Sequence, residues 1–270
     1  ISPIKMAAAY ATFANYGTYS KPYTVSKVTT RDGQEYEFKP EQKQAIKDST
    51  AYMITDVLKD SFKYGFATQV AIDGLPTAAK TGSSNYTTEQ KLAMGASEYE
   101  NIIPDSWFIG YSTDYTISVW TGYDNPYVEG GGLNQTEQTY PKWIYSYLMQ
   151  YMAQFSSRDD WEQPDSVVKQ QIEVGSNPLS LPGPRTPANM IANELFVKGH
   201  VPTQQSTHYG TRIDGPTGLK ATYDKTKKTL SVSWDNYQSN SREKPQYQVT
   251  VNGQTQTVST NKVTFQNISG

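Results

Sequence analysis

The chain has 270 residues, a formal net charge of −2, a mean hydropathy of −0.67 and no cysteine. That length suits one large domain or two ordinary ones. The charge argues against the basic excess of a nucleic-acid binder, the missing cysteines exclude disulfides and thiolate metal sites, and no run of about 18 apolar residues is available to span a membrane.

Ser2 and Pro3 predict an N-cap followed by the first helical position. A helix is expected over Ile4–Asn15, with Gly17 as its C′ residue. Ala7, Ala8, Ala11 and Ala14 leave it little bulk, so it can pack closely on a neighbour. Val25–Thr30 and Glu35–Phe38, joined through Asp32-Gly33, predict a hairpin with a primed turn. From Glu41 to about Lys63 the pattern predicts a helix, with Ala45, Tyr52, Met53, Val57 and Phe62 near one broad face. Gly65 ends it, and Asp73-Gly74 with Pro76 marks a turn.

The stretch Ala78-Ala79-Lys80-Thr81-Gly82-Ser83-Ser84-Asn85-Tyr86 follows. In extended chain, Lys80 and Gly82 share one face while Thr81 and Ser83 share the other. A glycine weakens a strand, and its usual role is to let something approach the backbone. A cation, hydroxyls and exposed backbone N–H groups suit a carboxylate and a carbonyl oxygen. A glycine-containing turn with solvated hydroxyls is the plainer reading of these residues alone, since such tetrapeptides recur by chance.

Glu89–Ile103 is polar and predicts a loop with a little helix. Ser106–Tyr111 is apolar on both faces, as in a central strand. The short Ser112–Asp114 link returns Tyr115–Tyr123 antiparallel, and Gly130–Gly132 is a loop. Pro141–Phe155 predicts a helix packed on a sheet through Ile144, Tyr147, Leu148, Tyr151, Met152 and Phe155. Six prolines and little periodicity between Gln163 and Asp214 predict a linker, with Glu194–Gly199 as a short docking strand. From Pro216, Leu219/Ala221/Tyr223, Leu230/Val232/Trp234 and Tyr247/Val249/Val251 alternate as in a β-sandwich. An immunoglobulin-like sandwich needs about 100 residues, so a partial one is expected.

The two histidines, His200 and His208, both fall in the linker stretch and are expected to be solvated. Residues 1–155 therefore offer no Ser-His-Asp relay, and the scattered acids support no metal site. Any cationic catalytic group there must be Lys or Arg. Asp105 and Glu35 are expected as capping or solvated groups, and Trp107 and Trp120 as core.

Several motifs in order resemble the class A, bifunctional penicillin-binding proteins. Ala11-Thr12-Phe13-Ala14-Asn15-Tyr16-Gly17 with Pro22 resembles the family's A-x-x-A-N-x-G-x-x-x-x-P helix end. Met53–Leu58, Gly65 and Ala67-Thr68 resemble the helix and G-T-A segment ahead of the lysine–threonine–glycine motif, although Phe66 stands where threonine is usual. Lys80-Thr81-Gly82 matches that motif, with Ser83 where threonine is common. Asp105–Tyr111 and Tyr115–Tyr123 resemble the W-F-x-G-Y and V-W-x-G-Y strands. Glu194–Gly199 with Pro202-Thr203 resembles the E-x-F-x-x-G-x-x-P tail.

The resemblance implies an α+β fold of the penicillin-binding/serine β-lactamase type, an antiparallel sheet flanked by helices, of which only the C-terminal part is present. The expected division is 1–162 for that part, 163–214 for a Pro-rich linker with a docking segment, and 215–270 for a partial immunoglobulin/fibronectin-like sandwich. Ile1-Ser2-Pro3 does not look like a native start, so the chain is read as a fragment. The S-x-x-K and S-x-N motifs, with the nucleophilic serine and its lysine, are expected upstream and not within this chain. The implied activity is peptidoglycan D,D-transpeptidation by acyl transfer from D-Ala-D-Ala stem peptides, with β-lactams acylating the same serine. Lys80 would supply positive potential, Thr81 and Ser83 hydroxyls would hold the substrate carboxylate, the Ser83 N–H would be an oxyanion donor, and Gly82 would admit substrate along the strand. No cofactor or metal is implied. Implied partners are stem peptides, β-lactams and the upstream part of the polypeptide, with cell-division or elongation proteins as candidates and no nucleic acid. The implied location is the extracytoplasmic membrane face, through an upstream anchor. A non-catalytic cell-wall-binding scaffold, and a serine β-lactamase or D,D-carboxypeptidase of the same fold, are the alternatives.

Overall fold

A computed structural model describes residues 1–210, 215–236 and 246–268. The expected boundary at 214 lies outside these residues. The described chain divides into two units, one of 1–169 with 195–200, the other of 170–194 with the residues from 201 onward.

The first unit is layered. Helix α1 (Pro3–Ala14) starts at Ser2, whose backbone is extended but whose side chain makes no capping bond. Proline at the first position supplies the start instead. Gly17 closes the helix in the left-handed region, at φ +86°, and a Cβ there would lie 2.1 Å from the Ile46 carbonyl oxygen. The chain then forms β1 (Thr18–Ser20), β2 (Lys27–Thr29), β3 (Glu35–Glu37) and β4 (Gln42–Gln44), before helix α2 (Asp48–Lys63). Two expectations are corrected here. Residues 42–44 are a strand paired with β1, not the first turn of a helix. In the β2–β3 hairpin only Gly33 has positive φ, whereas a primed I′ turn needs it at both central residues. The Gly33 N–H bonds Thr30 O at 3.0 Å, giving a three-residue loop with glycine at its end.

The sheet is β5 (Ala78–Ser83), β6 (Asp105–Tyr111) and β7 (Thr116–Gly122), antiparallel, with β6 in the middle. Six-residue helix α3 (Thr88–Ala93) follows β5 and is opened by a reciprocal capping box between Thr87 and Gln90. Helix α4 (Tyr140–Met152) follows β7. Adjacent residues of one strand feed opposite cores. Ala78 and Tyr111 are buried with Trp161 against Tyr10, Phe13 and Tyr52 of α1 and α2. Ala79 and Phe108 are buried with Tyr145 and Met149 of α4. This is the sandwiching of a central strand by helices that its two apolar faces require.

The contact faces of the two later helices differ from expectation. On α2 the buried residues are Ser49, Ala51, Thr55 and Ser61; of the expected face, Tyr52 and Phe62 pack against the two cores while Val57 is exposed. On α4 the buried residues are Pro141, Tyr145, Ser146 and Met149, and Tyr147, Leu148, Tyr151 and Phe155 are exposed. The helix does pack on β6 and β7, through the side that carries Tyr145 and Met149; of the expected stripe, Met152 packs against that core.

Residues 163–210 contain two strands, β8 (Val167–Glu173) and β9 (Ile191–Val197), paired as a ribbon; β9 overlaps the short strand expected at Glu194–Gly199, whereas β8 falls where a linker of little periodicity was expected. In the second unit, β10 (Lys220–Asp224), β11 (Thr229–Ser233) and β14 (Lys262–Phe265) form one antiparallel sheet, and β12 (Tyr247–Val251) and β13 (Gln254–Val258) form another. They share a core of Val232, Trp234, Val263, Phe265 and Ile268, onto which Tyr247, Val249 and Val258 pack. The alternation of β11 thus points Val232 inward as predicted.

Candidate functional site

β5 is an edge strand, bonded to β6 on one side only among the described residues. Register puts Lys80 opposite Ile109 and Gly82 opposite Trp107, and Thr81 opposite Phe108 and Ser83 opposite Ser106. The two-face division expected for these four residues is therefore the one the strand adopts. Burial falls along the strand. Ala78 and Ala79 are fully buried, whereas Lys80, Thr81 and Ser83 are exposed and Gly82 half-buried. The alanines anchor the strand, and its functional end emerges from the protein.

Lys80 Nζ donates to the Thr81 carbonyl oxygen at 2.9 Å. It also lies 5.8 Å from the centre of the Phe66 ring, within the range of a cation–π contact. Phe66 in turn meets Phe108 edge-on at 6.1 Å. Its aromatic side chain, at a position where the resemblance leads one to expect threonine, thus borders the lysine. No spacing rule pointed to this contact, because residues 66 and 80 meet only through the turn that precedes β5.

Gly82 is not required by packing within the chain. A Cβ there would sit 3.4 Å from the Trp107 Cβ, an ordinary contact, and its φ lies outside the left-handed region. Trp107 and Trp120 stand side by side across β6 and β7 at 6.4 Å. They are not the core residues expected, since Trp120 is 40% exposed. Beyond the strand, the Ser84 hydroxyl donates to Asp105, and Tyr86 donates to Pro126 O at 2.5 Å. Burial, then the Tyr127 and Asp105 charges, push the Tyr86 phenol up. The first bond ties the end of β5 to the start of β6, and the second ties it to the loop after β7. Asp105 accepts from the Ser84 hydroxyl rather than capping a helix, and Glu35 is an exposed ion-pair partner of Lys27 at 2.6 Å.

Literal matches to the upstream motifs do occur inside the chain, contrary to expectation, and two of them lie in residues 1–155. Ser2-Pro3-Ile4-Lys5 fits S-x-x-K and Ser83-Ser84-Asn85 fits S-x-N. The first occupies the start of α1, which packs on β6 and β7, while β5 is contacted by α2. Nothing joins Ser2 to Lys5 by a side-chain hydrogen bond among the described residues; the helix starts on Ser2 through its carbonyl, which accepts from Met6 N at 3.0 Å. Among the described residues no cluster of His, Asp or Glu could hold a metal, and no helix is long and apolar enough to cross a membrane. His208, expected to be solvated, is mostly exposed, but its Nδ1 lies 3.6 Å from the buried Glu173 carboxylate.

Comparison with known proteins agrees with this architecture. A family model described as the penicillin binding protein transpeptidase domain matches residues 1–146, and one described as the penicillin-binding protein 1A C-terminal domain matches 163–211. Penicillin-binding protein 1A/1B of Bacillus subtilis is 37% identical over 243 residues, covering 87% of this chain and 26% of the relative. Penicillin-binding protein 1A of Streptococcus pneumoniae is 40% identical over 190 residues, covering 68% of this chain and 26% of the relative. A crystal structure of the D,D-transpeptidase domain of a peptidoglycan glycosyltransferase from Eggerthella lenta overlaps 56% of this chain and 32% of that one, at 25% identity and a TM-score of 0.39. The chain spans about a quarter of the length of the two curated relatives. With its sheet, its flanking helices and the family model covering residues 1–146, the chain belongs to the penicillin-binding protein transpeptidase family.

Proposed function

We propose that this chain supplies one wall of a peptidoglycan D,D-transpeptidase, within a longer class A protein that also carries a glycosyltransferase. Residues 1–162 form the C-terminal part of the transpeptidase domain, 163–214 a connecting segment that docks through Glu194–Gly199, and 215–270 a separate β-domain. A serine supplied by another segment of the polypeptide attacks the penultimate D-alanine carbonyl of a stem peptide. The terminal D-alanine leaves, and an amine of a neighbouring stem takes the acyl group. β-Lactams acylate the same serine. The enzyme works on the extracytoplasmic face of the membrane.

The observation that carries this reading is the free edge of β5, where a cation, two hydroxyls and unpaired backbone groups emerge from a buried anchor. An extended peptide can add to such an edge as a further strand. Gly82 supports it, because neither packing nor backbone conformation within the chain demands a glycine there. Lys80 draws the substrate carboxylate and lowers the pKa of a neighbouring lysine by like-charge repulsion. The Thr81 and Ser83 hydroxyls hold the carboxylate, and the Ser83 N–H faces the developing oxyanion, a kind of donor worth about 2.7–4 kcal/mol.

The test is the acylation rate of the complete protein with a reporter β-lactam, with thermal melts alongside. Ser83→Ala should lose about one charge-assisted hydrogen bond, roughly 1.5–3 kcal/mol of acylation efficiency, and Ser83→Thr should be nearly neutral. Lys80→Ala should reduce acylation far more than stability. An unchanged rate in Lys80→Ala and Ser83→Ala would remove the strand edge from the mechanism. A stoichiometric adduct on Ser2 would relocate the nucleophile into this chain.

A further inference from the structure

The stretch around β8 holds a charge for which transpeptidation has no use. Glu173, at the end of β8, is fully buried. Burying a carboxylate is costly unless its oxygens are satisfied. Here Ser206 Oγ donates to Oε1 at 2.5 Å, Thr186 Oγ1 donates to Oε2, and His208 Nδ1 lies 3.6 Å from Oε1. Burial works to raise the pKa, but the two hydroxyls and His208 outweigh it and hold the carboxyl below its usual range. Glu173 fixes three loops at once, two through its carboxylate and one through its backbone N–H. Ser206 Oγ also accepts from His208 N at 3.1 Å, Thr186 Oγ1 accepts from Gly183 N at 2.9 Å, and Glu173 N donates to Ser180 O at 2.9 Å.

Two of these loops, 175–180 and 204–208, wall a groove of about 460 Å³, within the size range of small-ligand sites. Its lining includes Ser176, Asn177, Gln204, Gln205 and His208, and it carries no ammonium, guanidinium or free carboxylate. The hydrogen bonds that hold the walls run through Ser176, Ser180, Ser206 and Thr186. Among the described residues the amide side chains of Asn177, Gln204 and Gln205 take no part in them. The His208 ring is two-thirds exposed and stacks on Tyr209, with centroids 4.7 Å apart and planes 30° apart.

The lining selects by exclusion. An anion would find no fixed cation, and a cation would find only a carboxylate whose oxygens are already bonded. An apolar ligand would find little beyond Pro178. An extended peptide would need a free backbone edge, but here Leu181 N already bonds Gln204 O and Ser206 N bonds Leu181 O, both at 2.8 Å. What remains is a neutral ligand rich in hydroxyls and amides. Each Asn or Gln side chain offers both a donor and an acceptor, the complement of an acetamido group, and a held aromatic ring suits the C–H face of a sugar. We propose that this groove binds an uncharged oligosaccharide bearing acetamido groups. The proposal does not depend on the transpeptidase reading, because no residue of β5 takes part in it.

The probe is chitotetraose, titrated into the 270-residue chain and followed by amide and side-chain NMR, with cellotetraose and tetra-alanine as controls. Chitotetraose should shift the Asn177, Gln204, Gln205 and His208 resonances saturably. Cellotetraose, which lacks the acetamido groups, should bind at least about tenfold more weakly, and tetra-alanine should leave these resonances unmoved. Gln205→Ala and His208→Ala should each weaken chitotetraose binding about tenfold, the order expected for one lost contact, with the rest of the spectrum intact. No saturable shift, or binding unaffected by both substitutions, would overturn the site. Equal binding of cellotetraose would overturn the acetamido selectivity, and saturation by tetra-alanine would make the groove a peptide site.

Discussion

Two antiparallel hairpins of one unit, β6–β7 and β2–β3, share a motif and little else. Every residue of β2 and β3 is exposed, and among the described residues these strands pair only with each other. Val28 and Tyr36 face each other across them at 41% and 50% exposure. β6 lies between two strands and between two helical layers, with Phe108, Ile109 and Tyr111 buried almost completely. Both a second pairing partner and the burial of its faces therefore distinguish β6. An isolated two-stranded hairpin is marginal in water, and burial of its faces supplies the rest. The difference explains why the proposed catalytic strand is registered against β6. Its geometry is set by the most deeply buried strand in the unit, although its own working end is solvated.

The comparison can be broken at four positions. Phe108→Ala should have the largest effect, about 3–5 kcal/mol in urea denaturation, because it empties the core between β6 and α4. A loss below about 1 kcal/mol would mean that β6 is not the anchor. Gly110→Ala should follow, at about 1–3 kcal/mol. A Cβ there would lie 2.4 Å from the buried Tyr145 ring, and neither group can move away easily.

Tyr111→Phe should cost about 1–2 kcal/mol, since it leaves the buried Thr55 hydroxyl, now 3.1 Å from the phenol, without its partner. It also carries a pH signature. Burial pushes the Tyr111 phenol up to about 12, against a smaller lowering by Thr55 and with a small rise from Tyr10. Its folded pKa thus exceeds the unfolded value of about 10. The stability it contributes is fully present below pH 10 and is lost as pH rises toward 12. Difference absorbance between wild type and Tyr111→Phe should show a phenol titrating near 12. A phenol titrating at about 10 would contradict the burial. Smallest of all, Tyr36→Ala in β3 should change stability by no more than about 0.5 kcal/mol. A core-sized loss there would show that the arm packs on something.

What the sequence disclosed follows the same line. Strands with a strong signature were legible. Ser106–Tyr111 is apolar at every second position on both faces, and it is the central strand. The Lys80–Ser83 faces followed from alternation alone. Helix α4 was legible as a helix but not in its orientation. Its apolar residues include both Tyr145/Met149 and Tyr147/Tyr151, and periodicity cannot rank two apolar faces when a sheet can accept either. Tyr145 is chosen because Gly110 leaves room for its ring, a complementarity 35 residues distant in sequence. Strand β4, Gln42-Lys43-Gln44, has no strand signature and exists because Thr18–Ser20 lies alongside it. Phe66 and Lys80, and Glu173 with Ser206 and Thr186, are likewise products of chain reversal, and no local pattern specifies them.

The open edge of β5 has a consequence for the protein among its own copies. A flat, unpaired strand end invites the same strand of another molecule to zip onto it, and natural sheets resist this by placing charge on the edge. Lys80 opens the exposed half of β5. When two copies approach edge to edge, their ammonium groups meet and repel. The lysine that would greet a substrate carboxylate also keeps the site from being filled by its twin.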